Sequence, residues 1–253
     1  MFVTNIISSL YDATLTVAYP QGCAVCDGSV ESRFDGVACA ACWGETRVFT
    51  ARDTLCWKCG ALALGSLAEE RTEQVRCRRC DDAAFTAARA CGLYQYALRA
   101  AIIELKRAPH VSQRLAQFMV ETCRRPPLDR STLIVPVPLH PEREKERGFN
   151  QAAVLARALS HRTRWPVAEN CLVRIEHTER HRAGMDAQAR RESVEAAFAL
   201  LTPRTIEGES ILLIDDVFTT GATISACAVV LRIAGAKEVL ALTLARPLSQ
   251  IAR

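Results

Sequence analysis

Aromatic side chains are scarce in this chain of 253 residues, at 6% of the total. Proteins that hold single-stranded nucleic acid stack its bases on aromatic rings. This chain has few aromatic residues from which a base-stacking surface could be built. A strong excess of one charge is also missing, because the formal net charge is only +4. This mild excess permits an anionic ligand without demanding nucleic acid. We also find no DNA-reading helix, which argues against a sequence-specific regulator.

Long hydrophobic runs are missing as well. No stretch approaches the roughly 18 uninterrupted apolar residues of a membrane span. Residues 1–20 lack the basic start of a secretion signal, and Asp12 interrupts their apolar positions. We therefore expect an amphipathic helix at 1–20, no membrane insertion and a cytoplasmic protein whose thiols stay reduced.

Cysteine, in contrast, is abundant, with twelve residues. Two thiolates three positions apart can reach one tetrahedral metal ion, and a second such pair completes a Cys₄ shell. Eight of the cysteines form four C-x-x-C pairs: Cys23 and Cys26, Cys39 and Cys42, Cys56 and Cys59, Cys77 and Cys80.

This spacing predicts two structural Zn²⁺ ions, each held by four of the paired cysteines. A reducing compartment argues against disulfides, and a redox C-x-x-C normally occurs once, at a helix start. Sequential pairing closes shorter loops, but the sequence does not decide between sequential and interleaved pairing. The four remaining cysteines are expected to be small buried residues: Cys91, Cys123, Cys171 and Cys227.

After Cys80 the pattern changes to alternating strand-like and helix-like segments. Strands are predicted at 87–94, 132–139, 198–201, 211–217 and 238–246, and helices at 96–106, 111–124, 150–162 and 223–236. Such alternation is typical of an α/β fold with a mostly parallel sheet flanked by helices. We expect two domains, a zinc-ribbon-like region over 1–84 and the α/β domain over 85–253.

The segment ILLIDDVFTTGAT at 211–223 carries the clearest functional signal. Ligands of parallel sheets bind beyond the carboxyl ends of the strands, where Asp215 and Asp216 are expected to lie. The free N–H groups of the next helix and the threonine hydroxyls can hold a phosphate. Two carboxylates can accept hydrogen bonds from two hydroxyls of a sugar. A sugar 5′-phosphate therefore matches both the aspartates and the phosphate-binding N–H groups. The predicted phosphate contacts are Thr219, Thr220, Gly221, Ala222 and Thr223.

This segment closely resembles the signature of type I phosphoribosyltransferases, which bind phosphoribosyl pyrophosphate (PRPP). The resemblance implies that Asp215 and Asp216 meet the ribose 2′- and 3′-hydroxyls, as the catalytic pair, and that 219–223 holds the 5′-phosphate. VPVPLHPEREKERGFNQA (135–152), LRAAIIELK (98–106) and the cysteine pairs extend the resemblance to the ComF family, which is tied to imported DNA. That family combines a zinc-finger region with a phosphoribosyltransferase domain.

The ComF resemblance implies further ligand contacts. VPVP at 135–138 corresponds to a pyrophosphate loop, with Val137 offering an N–H group. Arg143 and Arg147 are candidates for phosphate binding because a guanidinium binds phosphate oxygens in a bidentate way. Lys106 matches a family lysine, with a surface lysine as the alternative. Asn150 is a ligand contact or a helix N-cap.

A polar, arginine-rich segment at 176–195 fits a mobile lid over the site. If the protein is an enzyme, a nitrogen nucleophile displaces pyrophosphate from ribose, and Mg²⁺ with arginines stabilises the leaving group. The alternative is a non-catalytic PRPP sensor or nucleic-acid-binding protein. The expected partners are PRPP or ribose 5-phosphate, single-stranded DNA and DNA-uptake proteins.

Overall fold

The computed structural model describes residues 21–62, 75–175 and 197–248. The amphipathic helix predicted at 1–20 and the lid predicted at 176–195 lie outside these residues. Among the helices that the structure does describe, none has the length and apolar character needed to cross a membrane.

The described strands and helices follow one another in the alternating order that the sequence predicts. The strands are β1 (Ala87–Leu93), β2 (Leu133–Pro136), β3 (Leu172–Arg174), β4 (Phe198–Leu200), β5 (Ser210–Val217) and β6 (Glu238–Arg246). The helices are α1 (Ala40–Gly44), α2 (Tyr96–Leu105), α3 (Gln113–Cys123), α4 (Pro141–Arg147), α5 (Gln151–Thr163) and α6 (Ala222–Ile233).

Four parallel strands form the main sheet in the order β1-β6-β5-β2. The central strands β5 and β6 are almost continuously apolar because helices or cysteine-rich segments cover both of their faces. A separate antiparallel pair joins β3 to β4. The predicted α/β fold with a mostly parallel sheet is confirmed.

Alternation along the central strands divides the interior into two cores. Leu212 and Ile214 of β5 point to one face with Leu240 and Leu242 of β6. Their neighbours Ile211 and Leu213 of β5 point to the opposite face. Successive side chains of a strand point to opposite faces, so each central strand contributes to both cores.

The cysteine-rich region packs against this sheet, one group of cysteines on each face. Cys23, Cys39 and Cys42 belong to the core that contains α2, α3 and α5. The cysteines of the second group belong to the core that contains α6: Cys56, Cys59, Cys77 and Cys80. A domain boundary between residues 84 and 85 stays a prediction.

Candidate functional site

The eight paired cysteines form two compact groups, and these resolve the pairing that the sequence left open. The first cluster is Cys23, Cys26, Cys39 and Cys42, and the second cluster is Cys56, Cys59, Cys77 and Cys80. Within each cluster all four sulfur atoms lie within 4.8 Å of one another. The pairing is therefore sequential.

The sulfur geometry fits a tetrahedral zinc ion. Sulfur-to-sulfur distances are 3.7 Å for Cys23–Cys42, 3.8 Å for Cys26–Cys39 and 3.7 Å for Cys56–Cys80. A Zn–S bond of about 2.3 Å places the corners of a tetrahedral shell about 3.8 Å apart. Each cluster can hold one structural zinc ion with its fourth position already filled.

Backbone donors support the thiolate form of one cysteine in each cluster. The Cys39 N–H group donates to Sγ of Cys23, and the Cys77 N–H group donates to Sγ of Cys56, each at 3.3 Å. The pKa of Cys56 falls to about 4, chiefly because the Cys59 thiol hydrogen-bonds to it and further because backbone amides do so. Thiolates are the form that binds zinc.

The four single cysteines are buried, as the sequence predicts: Cys91, Cys123, Cys171 and Cys227. Burial raises the pKa of Cys123 and of Cys171 to about 11. Such thiols stay protonated at neutral pH and act as small apolar residues.

The two aspartates lie at the carboxyl end of β5, between the ends of β2 and β6. The Asp216 N–H group donates to Oδ1 of Asp215 at 2.8 Å. Oδ2 of Asp216 lies 3.0 Å from Nζ of Lys106, the residue after helix α2. This buried oxygen has no aligned hydrogen bond from the described residues. The lysine therefore neutralises charge of the acidic pair, and only the exposed 11% of the Asp216 side chain is within reach of a ligand.

The environment of Asp215 favours its neutral form. Burial, and then the adjacent charge of Asp216, raises the pKa of Asp215 to about 8. The positive charge of Lys106 opposes this shift without cancelling it. A raised carboxyl pKa at the end of a sheet strand is typical of a functional site.

The loop after β5 turns sharply into helix α6. Gly221 adopts a left-handed conformation with φ of 81° and is the N-cap of α6. Thr219 and Thr220 are exposed, and the Thr220 hydroxyl accepts from the Ala222 N–H group at 3.3 Å. No other described residue accepts a hydrogen bond from the N–H groups of Thr219, Thr220 or Gly221. These donors lie at the start of α6. We call residues 219–223 the phosphate loop, after the role that the sequence predicts for them.

A basic pocket of about 330 Å³ lies beside the aspartates, lined by Lys106, Arg143, Glu146 and Arg147. Helix α4 carries the last three of these side chains; it runs from Pro141 to Arg147 and is capped by Gly148, whose φ is 79°. Arg147 also donates to the side chain of Gln151. Lys106 joins the pocket to the acidic pair because it contacts Asp216. Glu146 is not recognisable as a pocket residue from the sequence, because alternating charges along α4 suggest a solvated surface.

Val137, in the expected pyrophosphate loop, and Asn150, after α4, have structural roles. The Val137 N–H group donates to the Ile214 carbonyl at 2.9 Å, and its side chain is buried. The expectation that Val137 offers a free N–H group is therefore wrong for this conformation. Asn150 accepts from the Ala152 N–H group at 2.9 Å and donates to the Val137 carbonyl at 3.0 Å. It is the N-cap of α5, which settles the alternative that the sequence left open.

Comparison with known proteins identifies the family. DNA utilization protein YhgH of Escherichia coli strain K12 is 30% identical over 223 residues, which cover 83% of this chain and 90% of that protein. Competence protein F of Haemophilus influenzae is 37% identical over 114 residues, 45% of this chain and 49% of that protein. The chain belongs to the ComF family.

The phosphoribosyl transferase domain family matches residues 145–253 of this ComF protein. That range includes the two aspartates and the phosphate loop. Purine phosphoribosyltransferase from Pyrococcus horikoshii covers 53% of the chain at 14% identity, with a TM-score of 0.35 and 82% of its own length covered. The segment that matches Competence protein F spans about half of that relative's length.

Proposed function

We propose that this ComF protein binds PRPP at the carboxyl end of its parallel sheet. The observation that carries the proposal is the placement of three different chemistries around one strand end. Two carboxylates lie at the carboxyl end of β5, and the free N–H groups of the phosphate loop follow them in the chain. The basic pocket adjoins the carboxylates because Lys106, which lines it, contacts Asp216. PRPP has a diol, a 5′-phosphate and a pyrophosphate, and each matches one of these parts.

The ribose is assigned to Asp215 and Asp216. The Asp216 side chain is 11% exposed, so a sugar hydroxyl can reach its carboxylate, while its buried Oδ2 lies against Lys106. Asp215 has a pKa raised to about 8 and carries a proton in much of the ligand-free protein at pH 7. It can therefore donate to or accept from a hydroxyl without adding a second charge beside the phosphates.

The 5′-phosphate is assigned to the phosphate loop. Its amides lie at and just before the N-terminus of α6, where the helix dipole favours an anion. The Thr219 and Thr220 side chains are exposed and can add hydroxyl donors. Gly221 supplies the left-handed turn by which the chain passes from these threonines into the helix.

The pyrophosphate is assigned to the basic pocket. Arg143 and Arg147 can bind phosphate oxygens in a bidentate way, and Lys106 can add a point charge. Glu146, in the same pocket, would repel a bare pyrophosphate and favour one that carries a divalent cation. Mg²⁺ bound to the pyrophosphate would supply this positive charge.

If the protein is catalytic, the reaction is displacement at the anomeric carbon of the ribose. A nitrogen lone pair forms the new C–N bond, and the C–O bond breaks with its electron pair leaving on pyrophosphate. Lys106, Arg143 and Arg147 would stabilise the charge that develops on this leaving group. Asp215 and Asp216 would hold the sugar ring in position, and no covalent intermediate with the protein is required.

Calorimetric titration of PRPP, ribose 5-phosphate and pyrophosphate, each with Mg²⁺, tests the assignment. PRPP should bind more tightly than either part, because it occupies all three subsites. Arg143→Met should weaken PRPP and pyrophosphate about tenfold while leaving ribose 5-phosphate unchanged, whereas Arg204→Met, at an exposed residue before β5, should change nothing. Equal affinities of the Arg143→Met variant and the wild type for pyrophosphate would refute the pocket assignment.

A second candidate function is the handling of single-stranded DNA in the cytoplasm, together with DNA-uptake proteins. It is favoured by the exposed Arg76, Arg78 and Arg79 around the second cluster. Relatives named for competence and DNA utilization agree with this use. Phosphate contacts of this kind give affinity without sequence preference. Trp43 is buried in the core and Trp57 lies under Arg76, so base stacking has little support.

This candidate predicts weak binding of single-stranded DNA that falls steeply as salt is raised. Replacing Arg78 and Arg79 with glutamate should abolish binding in low salt, and Arg204→Glu is the matched surface control. Fluorescence anisotropy with a labelled oligonucleotide measures both. Affinity that does not change with salt concentration would contradict the candidate.

A further inference from the structure

Arg246 connects the second cluster to the end of the central strand β6. It is the last residue of β6 and is only 3% exposed. Its Nη1 donates to the carbonyl oxygen of Cys59 at 2.7 Å. A ligand of the expected zinc ion therefore has its backbone held by the sheet.

The same guanidinium lies over the aromatic ring that supports the phosphate loop. The guanidinium carbon of Arg246 is 5.2 Å from the ring centroid of Phe218, a favourable cation–π distance. Phe218 is buried, and its N–H group donates to the Ala245 carbonyl at 2.9 Å. A Cβ atom placed on Gly221 would lie 2.6 Å from Cζ of Phe218. The Phe218 ring therefore packs directly against Gly221 at its left-handed turn.

The second cluster and the phosphate loop also share one apolar core. Cys59 and Phe218 belong to the core on the α6 side of the sheet. Cys23 and Cys39 of the first cluster belong to the core on the opposite face. A displacement in the second cluster can therefore reach the loop through side chains of one shared core, whereas the first cluster packs on the opposite face of the sheet from Phe218.

We propose that Arg246 is a positioning residue that couples metal occupancy of the second cluster to anion binding at the phosphate loop. With zinc bound, the Cys59 carbonyl fixes the guanidinium, which fixes Phe218 and so the turn at Gly221. Loss of the metal frees the Cys59 backbone, so Arg246 and Phe218 no longer hold the turn at Gly221 in one position. The proposal rests on the proposed function, because it assumes that the loop binds a sugar phosphate.

Coupling between two binding sites is reciprocal, so a loop ligand must also strengthen metal binding at the second cluster. The test measures zinc release from the full-length protein to a chromogenic chelator, with and without saturating ribose 5-phosphate. Cys39→Ser, which disables the first cluster, identifies the release phase that belongs to the second. In the wild type, ribose 5-phosphate should slow this phase about fivefold or more and leave the first-cluster phase unchanged.

Arg246→Met should remove the slowing while the protein still binds two zinc ions. Phe218→Leu provides a second variant, since it keeps the Arg246–Cys59 hydrogen bond and removes the ring. If wild-type protein binds ribose 5-phosphate by calorimetry and the second phase is not slowed, the coupling is refuted. Equal slowing in wild type and in both variants refutes the role of Arg246. If ribose 5-phosphate does not bind wild-type protein at all, the proposed function itself fails.

Discussion

Replacing Asp215 with asparagine is expected to flatten the pH dependence of stability. The pKa of Asp215 is raised to about 8 in the folded protein from an ordinary value of 3.8, chiefly because the surrounding protein desolvates its carboxyl group. The folded state thus holds a proton that the unfolded state releases once the pH exceeds about 4. Stability is therefore highest at low pH for this group, and it is lost as pH rises toward 8.

The size of the effect follows from linkage. One proton difference between the folded and unfolded states changes the free energy of unfolding by about 1.4 kcal/mol per pH unit. Between pH 5 and pH 7 the wild type should therefore lose up to about 2.7 kcal/mol more than Asp215→Asn, which does not titrate. Entry of water into the site reduces this value, so we expect about 1–3 kcal/mol.

Urea unfolding at several pH values, with a fixed concentration of zinc, measures the difference. The asparagine variant keeps both cysteine clusters, so any pH dependence of zinc binding cancels between the two proteins. Asp129→Asn, at an exposed residue before β2, is the control and should follow the wild type. If the free energy of unfolding changes with pH equally in the wild type and in Asp215→Asn, the pKa of Asp215 is not strongly raised.

Two further predictions concern the metal clusters and the phosphate loop. Protein purified without added zinc should contain about two zinc equivalents by mass spectrometry of metals, and Cys39→Ser should contain about one; disulfides among the paired cysteines would contradict this. Gly221→Val should weaken ribose 5-phosphate strongly and lower stability by about 1–3 kcal/mol, because its φ of 81° and the Phe218 ring exclude a branched side chain. Gly208→Val, also at a positive φ of 76° but in open space, should lower stability while ribose 5-phosphate affinity stays unchanged.

Much of the fold is predictable because buried parallel strands are short apolar runs bounded by turn residues. β6 occupies the predicted 238–246, and β5 begins one residue before the predicted 211. Helix α6 was predicted to extend to 236 but ends at Ile233, because Gly235 has a φ of 90° and begins the turn into β6. The strand predicted at 132–139 covers only Leu133–Pro136, where the prolines limit pairing.

The contacts between distant segments could not be predicted in the same way. Lys106 and Asp216 meet because α2 ends beside β5 across the sheet, which depends on helix length and packing angle. Val137 has its N–H group paired with Ile214 because the chain after β2 stays aligned with β5 for one more residue. Arg246 appears in the sequence as an ordinary charged strand end, and only the position of the Cys59 carbonyl explains its burial.

The most direct test of the central claim is PRPP affinity of the Asp215→Asn, Asp216→Asn double variant. Asparagine keeps the shape of each side chain and removes the charge-assisted hydrogen bonds to the ribose hydroxyls. Each such bond contributes about 1.5–3 kcal/mol, so PRPP with Mg²⁺ should bind at least about tenfold more weakly by calorimetry. Equal PRPP affinity in the wild type and the double variant would contradict the assignment of the ribose to the end of β5.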